Sequence, residues 1–121
     1  MVRAVEAYFR DVDRFDTDAI LAHLADGAVL EVVTHGARHF GIDAIRTAFD
    51  RRAEAVRSSW HGDFQHTVDE NAGRVATRLT ARRTNTDGTA AEAHNLTLFA
   101  LADASIQRIS IWMSGANTLG G

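Results

Sequence analysis

Residues 7–32 read AYFRDVDRFDTDAILAHLADGAVLEV, and along this stretch two helical patterns give way to an extended one. Residues 16–18 (DTD) supply N-cap side chains for a short second helix, which we expect to include Leu24. Residues 28–34 (AVLEVVT) are apolar and β-branched, which predicts a first strand. Apolar residues recur at three- and four-residue steps in the first helix, where the predicted buried stripe consists of Val5, Tyr8, Phe9, Val12 and Phe15.

The sequence beyond this stretch predicts one more helix and then only strands. Residues 35–41 form a predicted loop with two glycines and room for a short extra strand, and a third helix follows to about Arg57. The period then becomes extended, and NTDG at residues 85–88 is a strong hairpin signal. We expect residues 117–121 to form a frayed tail. The four predicted strands cover residues 60–69, 74–84, 89–102 and 105–113.

This order of elements predicts an α+β fold. Three helices at the front and strands at the back favour helices packed on one face of a strongly bent antiparallel sheet. Such a sheet encloses a cone with an apolar pocket whose mouth admits a ligand. The length of 121 residues and the absence of repeats or linkers predict one domain over residues 1–121.

The composition excludes several classes of chemistry. The chain has no cysteine, so it can form neither a disulfide nor a thiolate metal site, and the cytoplasm is the expected location. All thirteen basic residues are arginine, which excludes a Schiff-base lysine and a Walker-type phosphate loop. A net charge of −3 argues against a nucleic-acid partner. The sequence has neither a signal-peptide pattern nor an apolar run long enough for a membrane span.

Three stretches resemble the NTF2-like superfamily, in particular its SnoaL-like and ketosteroid-isomerase-like branch. They are residues 7–32, the third-helix segment GIDAIRTAFDRR at residues 41–52, and the terminal IQRISIWMS at residues 106–114. The resemblance covers residues 5–114 and implies a conical α+β barrel with a deep apolar pocket, usually in a homodimer. Superfamily members include isomerases, cyclases, dehydratases, epoxide hydrolases and non-catalytic binding proteins.

The resemblance implies one oxyanion-stabilising residue and the loss of several acids. Tyr8 lies where ketosteroid isomerases carry a phenol that donates a hydrogen bond to an enolate oxygen; a core tyrosine is the alternative. The general-base carboxylate of those enzymes falls at Val32, and their second acid falls near Leu96. Glu31 is adjacent, but strand alternation directs it to the opposite face. The last-strand aspartate of related cyclases and epoxide hydrolases falls near Ile111.

His61 and Asp13 are the other candidate catalytic residues. The resemblance places His61 at the position of a cavity-facing histidine in scytalone dehydratases, and Asp13 near their first-helix aspartate. A histidine whose second nitrogen is held by a carboxylate has a fixed tautomer and can act as base and then acid. The alternative is that His61 only satisfies a strand end and that Asp13 is a solvated helix residue.

The candidate substrate-binding residues are less sharply defined. Arg78 shares a strand face with Arg82; a concave face would place both guanidiniums in the pocket, and a convex face would expose them or place them in a dimer interface. Trp60 is either a substrate contact or a packing or interface aromatic. We expect no metal site, because the histidines lack a ligand spacing beside a carboxylate. The remaining candidates for substrate contact are Phe49, His94, Asn95 and Ile111.

The resulting hypothesis is a cofactor-independent enzyme that acts on a hydrophobic, oxygenated small molecule such as a polyketide- or terpenoid-like intermediate. Cyclisation, isomerisation or dehydration by acid–base catalysis suits the family and the residues available. The alternative is a non-catalytic ligand-binding protein or a dimeric adaptor with the same fold. Apolar residues on both faces of the fifth predicted strand, among them Leu96 and Phe99, favour a homodimer.

Overall fold

A computed structural model describes residues 1–120, and these form three α-helices, one 3₁₀ turn and one six-stranded sheet. The 3₁₀ turn covers Val33–His35. The helices are α1 (Val2–Asp13), α2 (Thr17–Ala22) and α3 (Gly41–Ala55). The strands are β1 (Leu24–Val32), β2 (Ala37–Phe40), β3 (Val56–Asp69), β4 (Arg74–Asn85), β5 (Ala90–Ala102) and β6 (Ser105–Met113).

The sheet has the strand order β2-β1-β6-β5-β4-β3. The meander from β3 to β6 is antiparallel, as the alternating pattern and the hairpin signals predicted. β1 and β6 pair in parallel, so the sheet is mixed and the purely antiparallel prediction is wrong at this one pairing. Val29 lies opposite Arg108, and no local pattern encodes a pairing between residues so distant in the sequence.

Irregular pairing accompanies the curvature of the sheet around the helices. The β3–β4 register shifts between Gly62 and Gln65, and Asp63 between them has a φ of 54°. A residue inserted into one strand of an antiparallel pair bends that strand and increases its twist. α1 packs on β3 and α3 packs on β1. The α+β architecture of helices on one curved sheet is therefore confirmed.

Apolar side chains from the helices and from the inner face of the sheet form one core. The predicted α1 stripe is buried up to Val12, and Phe99 from β5 is completely buried beside it. The Tyr8 ring packs edge-on against Phe9, Phe49 and Phe99 at centroid distances of 5.1, 6.3 and 5.6 Å. This aromatic cluster holds α1 and α3 on the sheet.

Several predicted boundaries are wrong, because backbone geometry ends a helix before its apolar period does. α1 ends at Asp13, and Phe15 has a φ of 56° in the following loop. Leu24 begins β1 and does not belong to α2. α3 ends at Ala55, since Val56 is already extended and pairs with β4. The N-cap prediction for α2 is confirmed, because the Asp16 side chain accepts a hydrogen bond from the backbone N–H of Ala19.

The C-terminal segment packs on the core, so the prediction of a frayed tail is wrong for residues 117–120. Leu119 is 5% exposed and belongs to the core cluster. The Asn117 side chain accepts from the backbone N–H of Leu119 at 2.9 Å, which fixes the turn that directs Leu119 inward. Gly121, the last residue of the predicted tail, lies outside the described residues. Within residues 1–120, no helix is long and apolar enough to cross a membrane.

Candidate functional site

A cavity of about 60 Å³ lies between α1, α3 and the inner face of the sheet. Its walls are mostly apolar, and Leu119 from the C-terminal segment forms part of them. Since each enclosed water needs roughly 10–15 Å³ by this kind of measure, the space is that of about four to six waters. An organic ligand therefore needs some of the lining to move. The polar residues of the lining include Tyr8, Arg52, His61, Asn95 and Thr97.

Asp13 and His61 form a hydrogen-bonded pair beside this cavity. His61 Nδ1 lies 2.6 Å from Asp13 Oδ1, and the backbone N–H of His61 donates to Oδ2 at 2.8 Å. Asp13 is the last residue of α1, and His61 faces inward from β3 opposite Ala81. Packing of α1 against β3 brings the two residues together although 48 positions separate them. The Phe9 ring stacks on the imidazole at 5.2 Å and fixes its plane.

The hydrogen bonds of Asp13 determine which imidazole nitrogen faces the cavity. Burial raises the pKa of the Asp13 carboxyl, but hydrogen bonds from His61 and Ser59 outweigh it, so the pKa is lowered below its ordinary value. An ionised carboxylate only accepts, so neutral His61 carries its proton on Nδ1. Nε2 then presents its lone pair and has no hydrogen-bond partner among residues 1–120. This is the arrangement of a general base held by a carboxylate.

Ser59 connects this pair to a buried arginine. The Ser59 hydroxyl donates to Asp13 Oδ1 at 2.6 Å and accepts from Arg52 Nη2 at 2.9 Å. Arg52 lies on α3 and is 6% exposed. The guanidinium, the serine and the pair of Asp13 and His61 therefore form one continuous chain along one end of the cavity.

Tyr8 places its phenol in the same cavity. Burial raises the pKa of Tyr8, an effect that the positive charge of Arg52 opposes and the negative charge of Asp13 assists. The phenol is therefore protonated throughout the neutral range and can donate a hydrogen bond. A donor in a cavity that excludes water stabilises developing negative charge on an oxygen more strongly than it would in water.

Three of the predicted substrate-binding residues line the cavity and three do not. Phe49 on α3, Asn95 on β5 and Ile111 on β6 belong to the lining. The predictions for Trp60, Arg78 and His94 are wrong as regards the cavity, because strand alternation turns these three side chains to the outer face of the sheet.

The outer-face residues have other neighbours. Trp60 is 41% exposed, and its ring lies over the place where a side chain at Gly62 would stand. The guanidinium of Arg82 lies 4.8 Å from the centre of that ring. Arg78 pairs with Leu96 across the outer face, which settles the open orientation of the Arg78 strand in favour of the convex side.

Glu31 points away from the cavity, as strand alternation predicted. On the outer face it accepts from the Ser110 hydroxyl at 2.7 Å and forms ion pairs with Arg38 and Arg108. The Ser110 hydrogen bond is the main reason that the pKa of Glu31 lies below its ordinary value. Its neighbour Val32 faces inward and is fully buried, so the general-base position implied by the isomerase resemblance holds an apolar side chain.

Arg52 is the residue that the sequence interpretation missed. Its position contains a signal, because it follows Ile45 and Phe49 at helical spacings of seven and three residues and so shares their buried face. An arginine on the apolar face of a helix is a candidate for a buried role. For metals, residues 1–120 contain no group of three or more histidine, aspartate or glutamate residues that could hold an ion.

Comparison with known proteins gives a family match and many related structures. The family model described as the SnoaL-like domain matches residues 5–109. The search of curated proteins gave no match. A candidate polyketide cyclase from Xanthomonas campestris pv. campestris superposes with a TM-score of 0.82 at 22% identity, covering 92% of this chain and 87% of that one.

Two further structures show how widely this fold is shared. A candidate isomerase from Bacillus subtilis has a TM-score of 0.85 at 12% identity, with 93% of this chain and 85% of that chain covered. An LEH-like epoxide hydrolase from M. tuberculosis has a TM-score of 0.80 at 22% identity, with 93% and 81% covered. At these identities the similarity establishes the fold and leaves the reaction open.

Proposed function

Because the chain belongs to the SnoaL-like domain family of the NTF2-like superfamily, we propose that it is a cofactor-independent acid–base enzyme. Its substrate would be a hydrophobic, oxygenated small molecule such as a polyketide- or terpenoid-like intermediate. The reaction would be a cyclisation, an isomerisation or a dehydration that begins with removal of a proton from the substrate. The observation that carries this proposal is the hydrogen-bonded pair of Asp13 and His61, in which the imidazole lines an apolar cavity and Nε2 has no partner among residues 1–120.

In the proposed mechanism, His61 Nε2 takes a proton from a carbon or a hydroxyl of the bound substrate. Asp13 accepts from Nδ1 throughout and stabilises the imidazolium that forms. Tyr8 donates a hydrogen bond to the substrate oxygen on which negative charge collects. The imidazolium then returns its proton to another substrate atom, or to a leaving hydroxyl in a dehydration, which restores the neutral base.

Substitution of His61 by Gln tests this mechanism. A positioned general base contributes a factor of about 10²–10⁴, so turnover should fall by that factor while the fold is retained. The assay follows exchange of α-protons in D₂O by NMR for a panel of cyclic enones and β-keto thioesters, with each active compound then tested for product. Tyr8→Phe should lower turnover by a smaller factor, because water or a neighbouring donor partly replaces one hydrogen bond.

His66→Gln is the matched control for this experiment. His66 also lies on β3 and also pairs with a carboxylate, since Nε2 is 2.7 Å from Glu6 Oε2, but it is not part of the cavity lining. The control should keep wild-type turnover. Equal rates for wild-type protein and His61→Gln would contradict the proposed base.

A non-catalytic ligand-binding protein is the second candidate function. It is favoured by Val32, which stands where the resemblance implies a general-base carboxylate, and by the lining, which contains no carboxylate among the described residues. Leu96, the other acid position that the resemblance implied, lies on the outer face of the sheet. In that case His61→Gln would change ligand affinity, and wild-type protein would leave every bound compound unaltered. An adaptor role would instead use the outer face of the sheet.

We also propose that the protein is a cytoplasmic homodimer. The outer face of the sheet supports the dimer, because Leu96 on β5 and Trp112 on β6 lie opposite each other there and are 44% and 37% exposed. Exposed apolar side chains clustered on a sheet face are typical of an interface. The absence of cysteine supports the location.

A further inference from the structure

We propose that the substrate carries an anionic oxygen, as a carboxylate or an ionised enol, and that Arg52 binds this oxygen inside the cavity. The proposal names the substrate class for the site described above and rests on the proposed function for that site. Its main support is a buried positive charge that no negative charge within the described chain neutralises directly.

Three charged residues are buried within residues 1–120, and only two of them have an oppositely charged partner. Asp11 is paired with His23 and Arg10, and Glu31 is paired with Arg38 and Arg108. Arg52 takes part in none of the ion pairs formed within residues 1–120.

Within residues 1–120, most N–H groups of the Arg52 guanidinium donate no hydrogen bond to another side chain. It donates one side-chain hydrogen bond, from Nη2 to the Ser59 hydroxyl, and its central carbon lies 5.8 Å from the centre of the Phe15 ring. A guanidinium has five N–H donors in a planar fork that matches two oxygens of one carboxylate. Burial of such a group without an anion is costly, so a ligand that supplies the anion gains affinity.

The surroundings of Arg52 add positive charge to this end of the cavity. Arg83 also lines the cavity, whereas the guanidinium of Arg82 lies on the outer face beside Trp60 and pairs with Glu92 at 2.7 Å. Asp13 is the nearby negative charge, but its oxygens already accept from His61 and Ser59. Burial lowers the pKa of Arg52, and repulsion from Arg83 acts in the same direction, whereas Tyr8 and Asp13 oppose them. An anion bound to Arg52 offsets both the burial of its charge and the repulsion from Arg83.

A second unpartnered group in the cavity also points to a polar ligand. Asn95 Oδ1 is buried and has no hydrogen-bond partner among residues 1–120. Asn95 lies two residues along β5 from Ala93, which pairs through Ala81 with His61. The two alanines leave the inner sheet surface open between the base and the amide. A substrate that extends across them meets Arg52 and His61 at one end and Asn95 at the other.

The chain of contacts through Ser59 restricts where the proton is removed. Ser59 Oγ touches both Arg52 and Asp13, so the guanidinium and the imidazole lie at the same end of the cavity. We therefore expect the oxygen that binds Arg52 to lie at the same end of the cavity as the atom that loses its proton to His61. Arg52 then holds the anionic oxygen in place while that proton is transferred.

Binding of benzoate and benzamide tests the proposal, because the two probes have nearly the same shape and differ in charge. Titration calorimetry with wild-type protein should show benzoate binding at least tenfold more tightly than benzamide, as expected for a charge-assisted contact. Arg52→Gln should abolish this preference. Arg51→Gln removes the same charge from the neighbouring, exposed position on α3 and should keep it.

Each outcome of this titration supports or overturns the proposal. Equal affinity for the two probes in wild-type protein, or no benzoate binding at millimolar concentration, overturns it. So does a preference that survives in Arg52→Gln or is lost equally in Arg51→Gln, because the anion then binds elsewhere. If Arg52→Gln does not fold, Arg52→Lys provides the comparison: it keeps the charge, loses the fork and should retain only part of the preference.

The titration requires no turnover, so its result is separate from that of the His61 experiment. The benzoate preference is scored on wild-type protein and the arginine variants alone, each of which keeps His61. If that preference is present and the chain catalyses nothing, the anion site belongs to a binding protein. If turnover depends on His61 and benzoate shows no preference, the mechanism stands without an acidic substrate.

Discussion

Asp13 illustrates what a single residue contributes to this site. Its two oxygens accept three hydrogen bonds from Ser59 and His61, and the bond to Nδ1 sets the tautomer of the base. Asp13→Asn places an amide where the carboxylate was. The amide N–H₂ can donate to Nδ1 and move the imidazole proton to Nε2, where it blocks proton abstraction.

Asp13→Asn should therefore lower kcat by about 10²–10⁴-fold and change KM little, because the substrate does not contact the carboxylate. Steady-state kinetics over a range of pH values would measure both effects. Glu6→Gln is the matched control, since it replaces the carboxylate that pairs with His66 from the same helix. A variant at Asp13 with unchanged kcat would show that the pair has a structural role only.

The sequence allowed some of these residues to be identified and concealed others. Tyr8, Asp13 and His61 were selected by resemblance, and the structure brings them to one cavity or beside it. Arg52 was not selected, because its helix also carries arginines that face solvent, and only the buried stripe through Phe49 distinguishes it. Trp60, Arg78 and His94 were misplaced because a strand pattern predicts two faces without saying which one is concave.

Helix α1 is attached to its neighbours by three pairs of carboxylate and histidine. Asp13 binds His61 and Glu6 binds His66, which connects the helix to β3 at two points. Asp11 binds His23 at 2.7 Å, just beyond the end of α2. The two contacts with β3 join elements that are distant in sequence, and the third joins α1 to the end of the next helix. The position of α1, and with it the cavity, therefore depends on carboxylates that remain ionised.

The unfolding free energy should consequently fall in acid. Burial raises the pKa of Asp11, but hydrogen bonds from His23 and Arg10 outweigh it, so the folded value lies below the unfolded value of about 3.9. The ionised form then stabilises the fold above about pH 4, and this contribution is lost as the pH falls through the folded pKa. Asp11→Asn should reduce the loss of stability between pH 5 and pH 3.

Urea unfolding at several pH values, followed by circular dichroism, measures this effect. Asp18→Asn is the control, because Asp18 lies on α2 with an exposed side chain and pairs with Arg46 at the surface. Its acid sensitivity should match that of the wild-type protein. If Asp11→Asn and wild-type protein lose stability in parallel below pH 5, the Asp11–His23 contact does not contribute in the way described.

At the level of elements, periodicity predicted the order and number of helices correctly. The predicted helices extended too far, to Phe15 and past Val56. A helix ends where the backbone changes conformation, whereas apolar residues continue into the next element. The parallel pairing of β1 with β6 has no local signature, since it depends on how the whole meander closes on the first strand.

At the level of the whole molecule, the outer sheet face determines the expected assembly. Leu96 and Trp112 lie side by side in the middle strands, with Arg78 next to Leu96. Burial of these side chains against a second copy would remove apolar surface from water at roughly 25 cal/mol per Å². The expected species is a dimer of the 13.2 kDa chain.

Sedimentation at micromolar concentration tests the assembly. Wild-type protein should sediment as a dimer, and Trp112→Glu should sediment as a monomer, because two buried carboxylates would face each other across a symmetric interface. Val68→Glu introduces the same charge at an exposed apolar position on the edge strand β3 and should remain dimeric. A wild-type monomer would exclude the dimer and leave the fold unaffected.

Leu119 differs from most of the other residues that line the cavity, because it comes from the C-terminal segment. Most other lining residues belong to the sheet and the helices, so a substitution among them disturbs the packing of these elements on each other. Leu119 also lines the cavity but belongs to neither the helices nor the sheet, and a short turn at Asn117 holds it in place. The capacity of the chamber is thus adjustable through a few residues near the end of the chain. A shorter or longer side chain at position 119 therefore changes the space for a ligand without replacing any residue of the helices or the sheet.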